Sequence, residues 1–238
     1  LHPANSAQPA AHGGESVPWS PSLAVAVAQV SADAEFAVNE WRRAHAEQSG
    51  SAAVWLYIVR KALHAAGLPM TDRVMVAIDC RRYLAKRQTI NSNFITGIEM
   101  PLAPDETLPA VTARVREVTA SSLPLASMGT VSARALLRAG GKPTTPPSRN
   151  VGAPADVMYS DMGYLNSLDS LPWSAGQHNR AYTGLLDVAG PEGITIFNTR
   201  IGSARNISIT FHNNVFGRNI MERVSDYLKN PTQFLDEV

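Results

Sequence analysis

The chain has 238 residues, 45% of them apolar and only 17% charged, so it can bury a real core in one large domain or two small ones and is not disordered by composition. Lys and Arg (21) nearly cancel Asp and Glu (20) to leave +1, with no block of like charges. This argues against an electrostatic nucleic-acid binder or a polybasic membrane anchor. Cys80 is the only cysteine, which excludes an intramolecular disulfide and a cysteine zinc cluster and suits a reducing cytoplasm. The longest apolar run, Ala52 to Val59, is closed by Arg60 and Lys61, far short of the roughly 20 residues of a transmembrane helix.

Residues 1–21 carry Pro3, Pro9, Pro18 and Pro21 without a signal-peptide pattern and read as a linker or a cut end. Residues 22–238 read as a single unit. Leu23 to Val30 is apolar and compatible with a strand. Ser31, followed by Asp33 and Glu35, predicts a capped helix to about Gln48, with Ala37, Trp41 and Ala44 on one face and Gly50 ending it. Ser51 is placed to cap a second helix, in which Leu56, Val59, Leu63 and Ala66 keep the helical period until Gly67 and Pro69.

Val74 to Asp79 predicts a buried strand that delivers Asp79, Cys80, Arg81 and Arg82 at its end, and Asn93 to Glu99 a second. Leu108, Val111, Val115 and Val118 trace another helix, and a shorter one is expected over 132–139. The proline-rich stretch 142–155 reads as a loop or crossover. Strands are then expected over Val157 to Ser160, Ala181 to Val188, Ile194 to Ile201 and Asn206 to His212, with Gly190, Pro191 and Gly193 turning the middle two into an antiparallel hairpin. Ile220 to Lys229 and Thr232 to Glu237 close the chain as helices. The expected class is therefore α/β, a layered sandwich with a mixed sheet and helices packed on a face. No glycine-rich strand-to-helix turn is present, which disfavours a nucleotide fold.

A complete catalytic set is missing: the chain has no G-x-S-x-G elbow, no H-E-x-x-H, no P-loop and no paired metal-ligand spacing, so no metal site is expected. His178 in a polar loop and His212 at a strand end beside Asn213 are the best placed of six histidines, but neither has a sequence-adjacent acid. Asp79 and Arg81 could hold a substrate or clamp each other, and a structural ion pair is the plainer reading. Ser160-Asp161-Met162-Gly163 could present a hydroxyl and a carboxylate at a cleft or be an ordinary turn.

Four stretches carry a family resemblance. Val76-Ala77-Ile78-Asp79-Cys80-Arg81 resembles a strand closing in V-D-x-R. Asn91-Ser92-Asn93-Phe94-Ile95 resembles a G-N-F segment with Ser92 in place of glycine, and Tyr159-Ser160-Asp161-Met162-Gly163 resembles S-N-x-G with Asp161 in place of asparagine. Gly193-Ile194-Thr195 through Asn213 resembles a late hairpin ending in a polar turn. In this order, from about Ser22 to Val238, the chain resembles the C-terminal lobe of the CoA-dependent acyltransferase superfamily. That superfamily includes condensation domains, polyketide-associated acyltransferases, wax ester synthases and chloramphenicol acetyltransferase.

The resemblance implies a chloramphenicol acetyltransferase-like half-fold in lipid or natural-product biosynthesis. It implies acyl transfer to a hydroxyl or amine from a thioester donor, either acyl-CoA or a phosphopantetheinyl acyl carrier protein, with no bound cofactor. The family's H-H-x-x-x-D motif, whose second histidine is the base, does not occur here, nor does D-F-G-W-G. The base is therefore expected from a missing N-terminal lobe or a second subunit. Ser160 and Asp161 are expected near the tunnel between lobes, with Arg81 and Asn93 shaping it and His212 or Asn213 at a lobe contact; the end of the Ser160 strand and the His212 strand end should line one cleft. The alternative is a non-catalytic half-fold that holds a carrier protein, a ligand or a partner subunit.

Overall fold

The structure is a computed structural model, and it describes residues 14–84, 94–129, 147–174, 176 and 180–235. Among these lie eight strands: β1 (Ser16–Pro18), β2 (Leu23–Val30), β3 (Met70–Asp79), β4 (Ile95–Pro101), β5 (Ser148–Asn150), β6 (Ala155–Tyr164), β7 (Gly193–Ile201) and β8 (Ala204–His212). The helices are α1 (Ala32–His45), α2 (Ser51–Ala65), α3 (Leu108–Ala120), α4 over 123–129 and α5 (Arg218–Lys229). Six strands form one mixed sheet in the order β2-β8-β7-β6-β3-β4, while β1 and β5 make a separate antiparallel ribbon. The expected α/β layered sandwich is present.

Local chemistry accounts for most of these elements. Ser31 accepts a hydrogen bond from the Ala34 amide and caps α1. Gly50, not Ser51, is the N-cap of α2, so Ser51 is its first residue and keeps its hydroxyl for another partner. α2 is buried on nearly every side from Ala53 to Leu63 because it lies between the sheet and its sister helices. The core joins this helix to the inward face of the sheet, where Val74, Val157, Ile194, Ile196, Ile207, Ile209 and Phe211 stack in register.

Three expectations are corrected. Residues 181–188 form no strand. The turn at Gly190 is present, with φ of 87°, but it leads into β7, which pairs parallel to β6. The real hairpin is β7 to β8, turned at Gly202 with φ of 58°. Residues 16–18 and 148–150, read as linker and crossover, pair as β1 and β5. The last expected helix is a 3-10 turn, Pro231–Phe234. The helix expected over 132–139 lies outside the described residues.

Candidate functional site

The helix-covered face of the sheet carries a buried polar network where uniform apolar packing would be expected. β8 puts Arg205 in phase with Ile207, Ile209 and Phe211, and β7 puts Asn198 in phase with Ile194 and Ile196. Arg205 donates from Nε to Glu35 Oε2 at 2.8 Å and from Nη2 to Glu35 Oε1 at 3.0 Å, a bidentate pair with side chains 3% and 5% exposed. Its Nη1 donates to Asn198 Oδ1 at 3.0 Å and lies 3.8 Å from Asp161 Oδ2. The guanidinium sits 4.5 Å over the ring of Trp55, and Nη2 reaches the Ser51 hydroxyl at 3.5 Å.

Asn198 Nδ2 donates to the Tyr159 hydroxyl at 2.8 Å and to Asp161 Oδ2 at 3.1 Å, and Tyr159 donates to the same carboxylate oxygen at 3.1 Å. Burial pushes the Tyr159 phenol well above the ordinary tyrosine range, and the neighbouring Asp161 charge adds to it. Burial works against the Arg205 charge, yet the Glu35 hydrogen bonds and the charges of Glu35 and Asp161 outweigh it and hold that guanidinium above its usual value. The network is thus a fixed polar frame tying β6, β7 and β8 to the first turns of α1 and α2.

Tyr159 and Asp161 also line a cleft of about 700 Å³ between α2, α3 and strands β3 and β6. Its walls are Ala53, Leu56, Val76, Ile78 and Val115, and the exposed Arg82 and Arg116 stand at its rim. Asp161 Oδ1 additionally accepts from the Gly163 amide at 2.7 Å, where Gly163 adopts φ of 62° and the β6–β7 register shifts. The glycine expected to allow a turn allows a bulge instead.

The sequence-selected residues fall in separate places. Ser160 is buried on the opposite, helix-free face from Asp161, as strand alternation requires, in a row with Phe197 and Ser208. That face carries a second polar row, in which both amide atoms of Asn206 and the hydroxyl of Ser208 are buried without a partner. Residues 181–188 cross over it, Gly184 so close to Phe197 that a Cβ there would lie 2.2 Å from the ring.

His212 and Asn213 lie at the other end of the sheet. β8 runs antiparallel to β7, so Ser160 is level with Ser208, and His212 is about 13 Å further along. The expectation that these two strand ends line one cleft is not met. The Ser22 amide donates to His212 Nδ1 at 3.1 Å, the Ser22 hydroxyl bonds Asn213 Oδ1 at 2.6 Å, and Asn214 holds Ser20 and Trp19. This turn staples the segment before β2. Arg81 pairs with Asp79 in an exposed ion pair at 3.1 Å, and Asp79 also accepts from the Arg81 amide. Cys80 is buried, and burial, with Asp79 beside it, pushes its thiol up, away from nucleophilic thiolate. Asn93 and His178 lie outside the described residues.

No family model matches the sequence, and no curated protein matches it. Solved structures do. The epimerization domain from the third module of tyrocidine synthetase B superposes with a TM-score of 0.57 at 9% identity over 90% of this chain and 48% of its own. A trichothecene 15-O-acetyltransferase from Fusarium sporotrichioides gives 0.57 at 10% identity, covering 92% of this chain and 48% of its own. A condensation domain that mediates chain release from the enacyloxin polyketide synthase gives 0.50 at 13%, covering 92% and 42%. The chain shares the fold of these domains. The chain spans about half the length of these structures.

Two further features bear on function. Among the described residues no group of histidine, cysteine and carboxylate side chains could hold a metal ion, and no helix is long and apolar enough to cross a membrane. Sequence reasoning missed Glu35 and Arg205 as a pair, and it took Asn198 as part of an apolar strand. The available signal was phase: a charge and an amide placed on the apolar alternation of two consecutive strands.

Proposed function

We propose that this chain is one lobe, the C-terminal one, of an acyl-transfer enzyme that moves an acyl group from a CoA or carrier-protein thioester to a hydroxyl or amine. In that reaction a base takes the acceptor's proton as the acceptor attacks the thioester carbonyl, and the thiol leaves. The single observation that carries the reading is the match of fold over half the length of acyltransferase and condensation-type structures, combined with the state of the described histidines.

None of these histidines is a poised base. His45 is exposed, stacks on Trp41 and shares Nδ1 with the Trp41 carbonyl; His64 is exposed on α2. His212 accepts the Ser22 amide at Nδ1, so its neutral ring carries the proton on Nε2 and has no free lone pair there. The base therefore comes from a second lobe carrying H-H-x-x-x-D. That lobe packs on the edges of the helix-free sheet face, whose centre residues 181–188 cover, since Leu23 and Val27 at one edge and Met75 and Ile95 at the other are large apolar residues left exposed.

A thiol-release assay with several acyl-CoAs tests this. The chain alone gives no turnover, and a chain carrying the H-H-x-x-x-D lobe restores it. Turnover by the chain alone, lost on His212→Ala or His178→Ala, overturns the proposal. If the second lobe binds without restoring turnover, the chain is a scaffold that holds a carrier protein or partner, the reading favoured by the absence of a poised base among the described residues.

A further inference from the structure

The cleft between α2, α3, β3 and β6 has a division of chemistry that the transfer reaction does not use. Its walls include the aliphatic side chains of Leu56, Ile78 and Val115. The two carboxylates that line it are already neutralised, Asp161 by Arg205 and Asp79 by Arg81. The two cations at its rim are not: among the described residues neither Arg82 nor Arg116 forms an ion pair, Arg82 lying 5.7 Å from the Tyr83 ring and Arg116 making one long bond, 3.4 Å, to Gln48. The N-terminus of α2 also lines the cleft, through Gly50 and Ala52. Gly50 supplies no side-chain cap, no acidic residue stands in the first turn, and the helix's bonding to the Gly50 carbonyl begins only at Ala53 and Val54.

We infer that this cleft binds an amphipathic anion, an aliphatic chain seated against Leu56, Ile78 and Val115 with a carboxylate or phosphate head held at the rim by Arg82 and Arg116. The volume of about 700 Å³ falls inside the roughly 300–1,000 Å³ of small-molecule sites. The orientation follows from the charges. Arg82 and Arg116 are the lining cations without an ion pair among the described residues, so the anionic head lies at them and the chain against the aliphatic side chains. The inference rests on the cavity and its charges, and it stands or falls independently of the acyl-transfer reading.

Isothermal titration calorimetry of the full chain with dodecanoate, dodecyl phosphate and dodecanol tests it at low and at physiological salt. Dodecanoate and dodecyl phosphate bind more tightly than dodecanol, and their advantage shrinks with salt. Arg82→Ala combined with Arg116→Ala weakens the two anions about tenfold while leaving dodecanol unchanged. Ala52→Trp, a substitution at an exposed lining position, blocks all three probes without changing the circular dichroism spectrum. Equal affinity for dodecanol and dodecanoate, an unchanged preference in the double arginine variant, or no binding of any probe to the correctly folded chain overturns the inference. Because no thioester is present, these outcomes are separate from those of the thiol-release assay.

Discussion

Among the described residues two arginines, Arg60 and Arg205, are buried to almost the same depth, and they are treated in opposite ways. Arg205 has every donor engaged, by Glu35, Asn198 and Ser51, with Asp161 nearby and Trp55 beneath it. Arg60, on α2, has only carbonyl oxygens, those of Leu102 at 2.7 Å and Thr71 at 3.3 Å, and its Nε and Nη1 have no partner at all. Burial lowers the Arg60 pKa to about 10, partly offset by Asp72, whereas Arg205 is raised. Buried charge is thus organised at the cleft and merely tolerated where α2 meets the ends of β3 and β4.

The sharpest way to break the contrast is Glu35→Ala. It leaves Arg205 buried without its bidentate partner and is expected to cost about 3–5 kcal/mol in urea unfolding, the penalty of an uncompensated buried charge. A loss under 1 kcal/mol in that titration means that Asp161 and Asn198 suffice and that the frame is redundant.

Tyr159→Phe probes the same frame more gently, with a loss of about 1–2 kcal/mol for the hydrogen bonds to Asp161 and Asn198. Its pH dependence has a defined sign. The folded phenol pKa is raised, so the unfolded tyrosine ionises first; the stability this group contributes is complete below about pH 10 and falls as pH rises beyond it. Unfolding measured between pH 8 and pH 11, values chosen to bracket that ordinary tyrosine value of about 10, shows a decline in the parent that is shallower in the Phe variant. Parallel declines refute the assignment.

Arg60→Met sharpens the other side. Replacing an incompletely satisfied buried charge by an aliphatic chain is expected to be neutral or to stabilise by about 1 kcal/mol. Because the folded pKa lies below the unfolded one, the unfolded chain holds its proton longer. Parent stability therefore rises as pH passes about 10, and the advantage of Met narrows there. A Met variant that loses several kcal/mol shows that the bonds to the Leu102 and Thr71 carbonyls outweigh the cost of burying the charge.

How legible each region was follows from what fixes it. α1, α2 and α3 announce themselves through period and capping residues, and β8 through strict alternation from Asn206 to His212. Residues 181–188 are apolar enough to read as a strand, but their backbone lies across β7 and not beside it, and sequence pattern carries no information on which of these an apolar run will do. The same limit hid the site. Asp161 was selectable as a polar strand residue, while its partnership with Arg205, and that of Arg205 with Glu35 across 170 residues, depends on strand order. Strand order is also why the end of β6 at Tyr164 and the end of β8 at His212 finish at opposite ends of the sheet, with Ser160 in mid-strand: β6 and β8 run in opposite directions on either side of β7.

The pairing of β2 with β8 has a consequence for how the chain reaches this structure. Ser22 meets His212 across 190 residues, and until β8 exists β2 has no neighbour in the sheet. At a synthesis rate of about 5–20 residues per second, the first long strand waits on the order of 10–40 s for its partner. During that time α1 and α2 can form locally, but the sheet they cover is incomplete, and the alanine- and valine-rich β2 is an open edge. Assembly is therefore gated by the last hairpin, β7 to β8. This makes the Gly202 turn and the His212–Asn214 staple the points at which a slow or aggregation-prone folding phase would be decided.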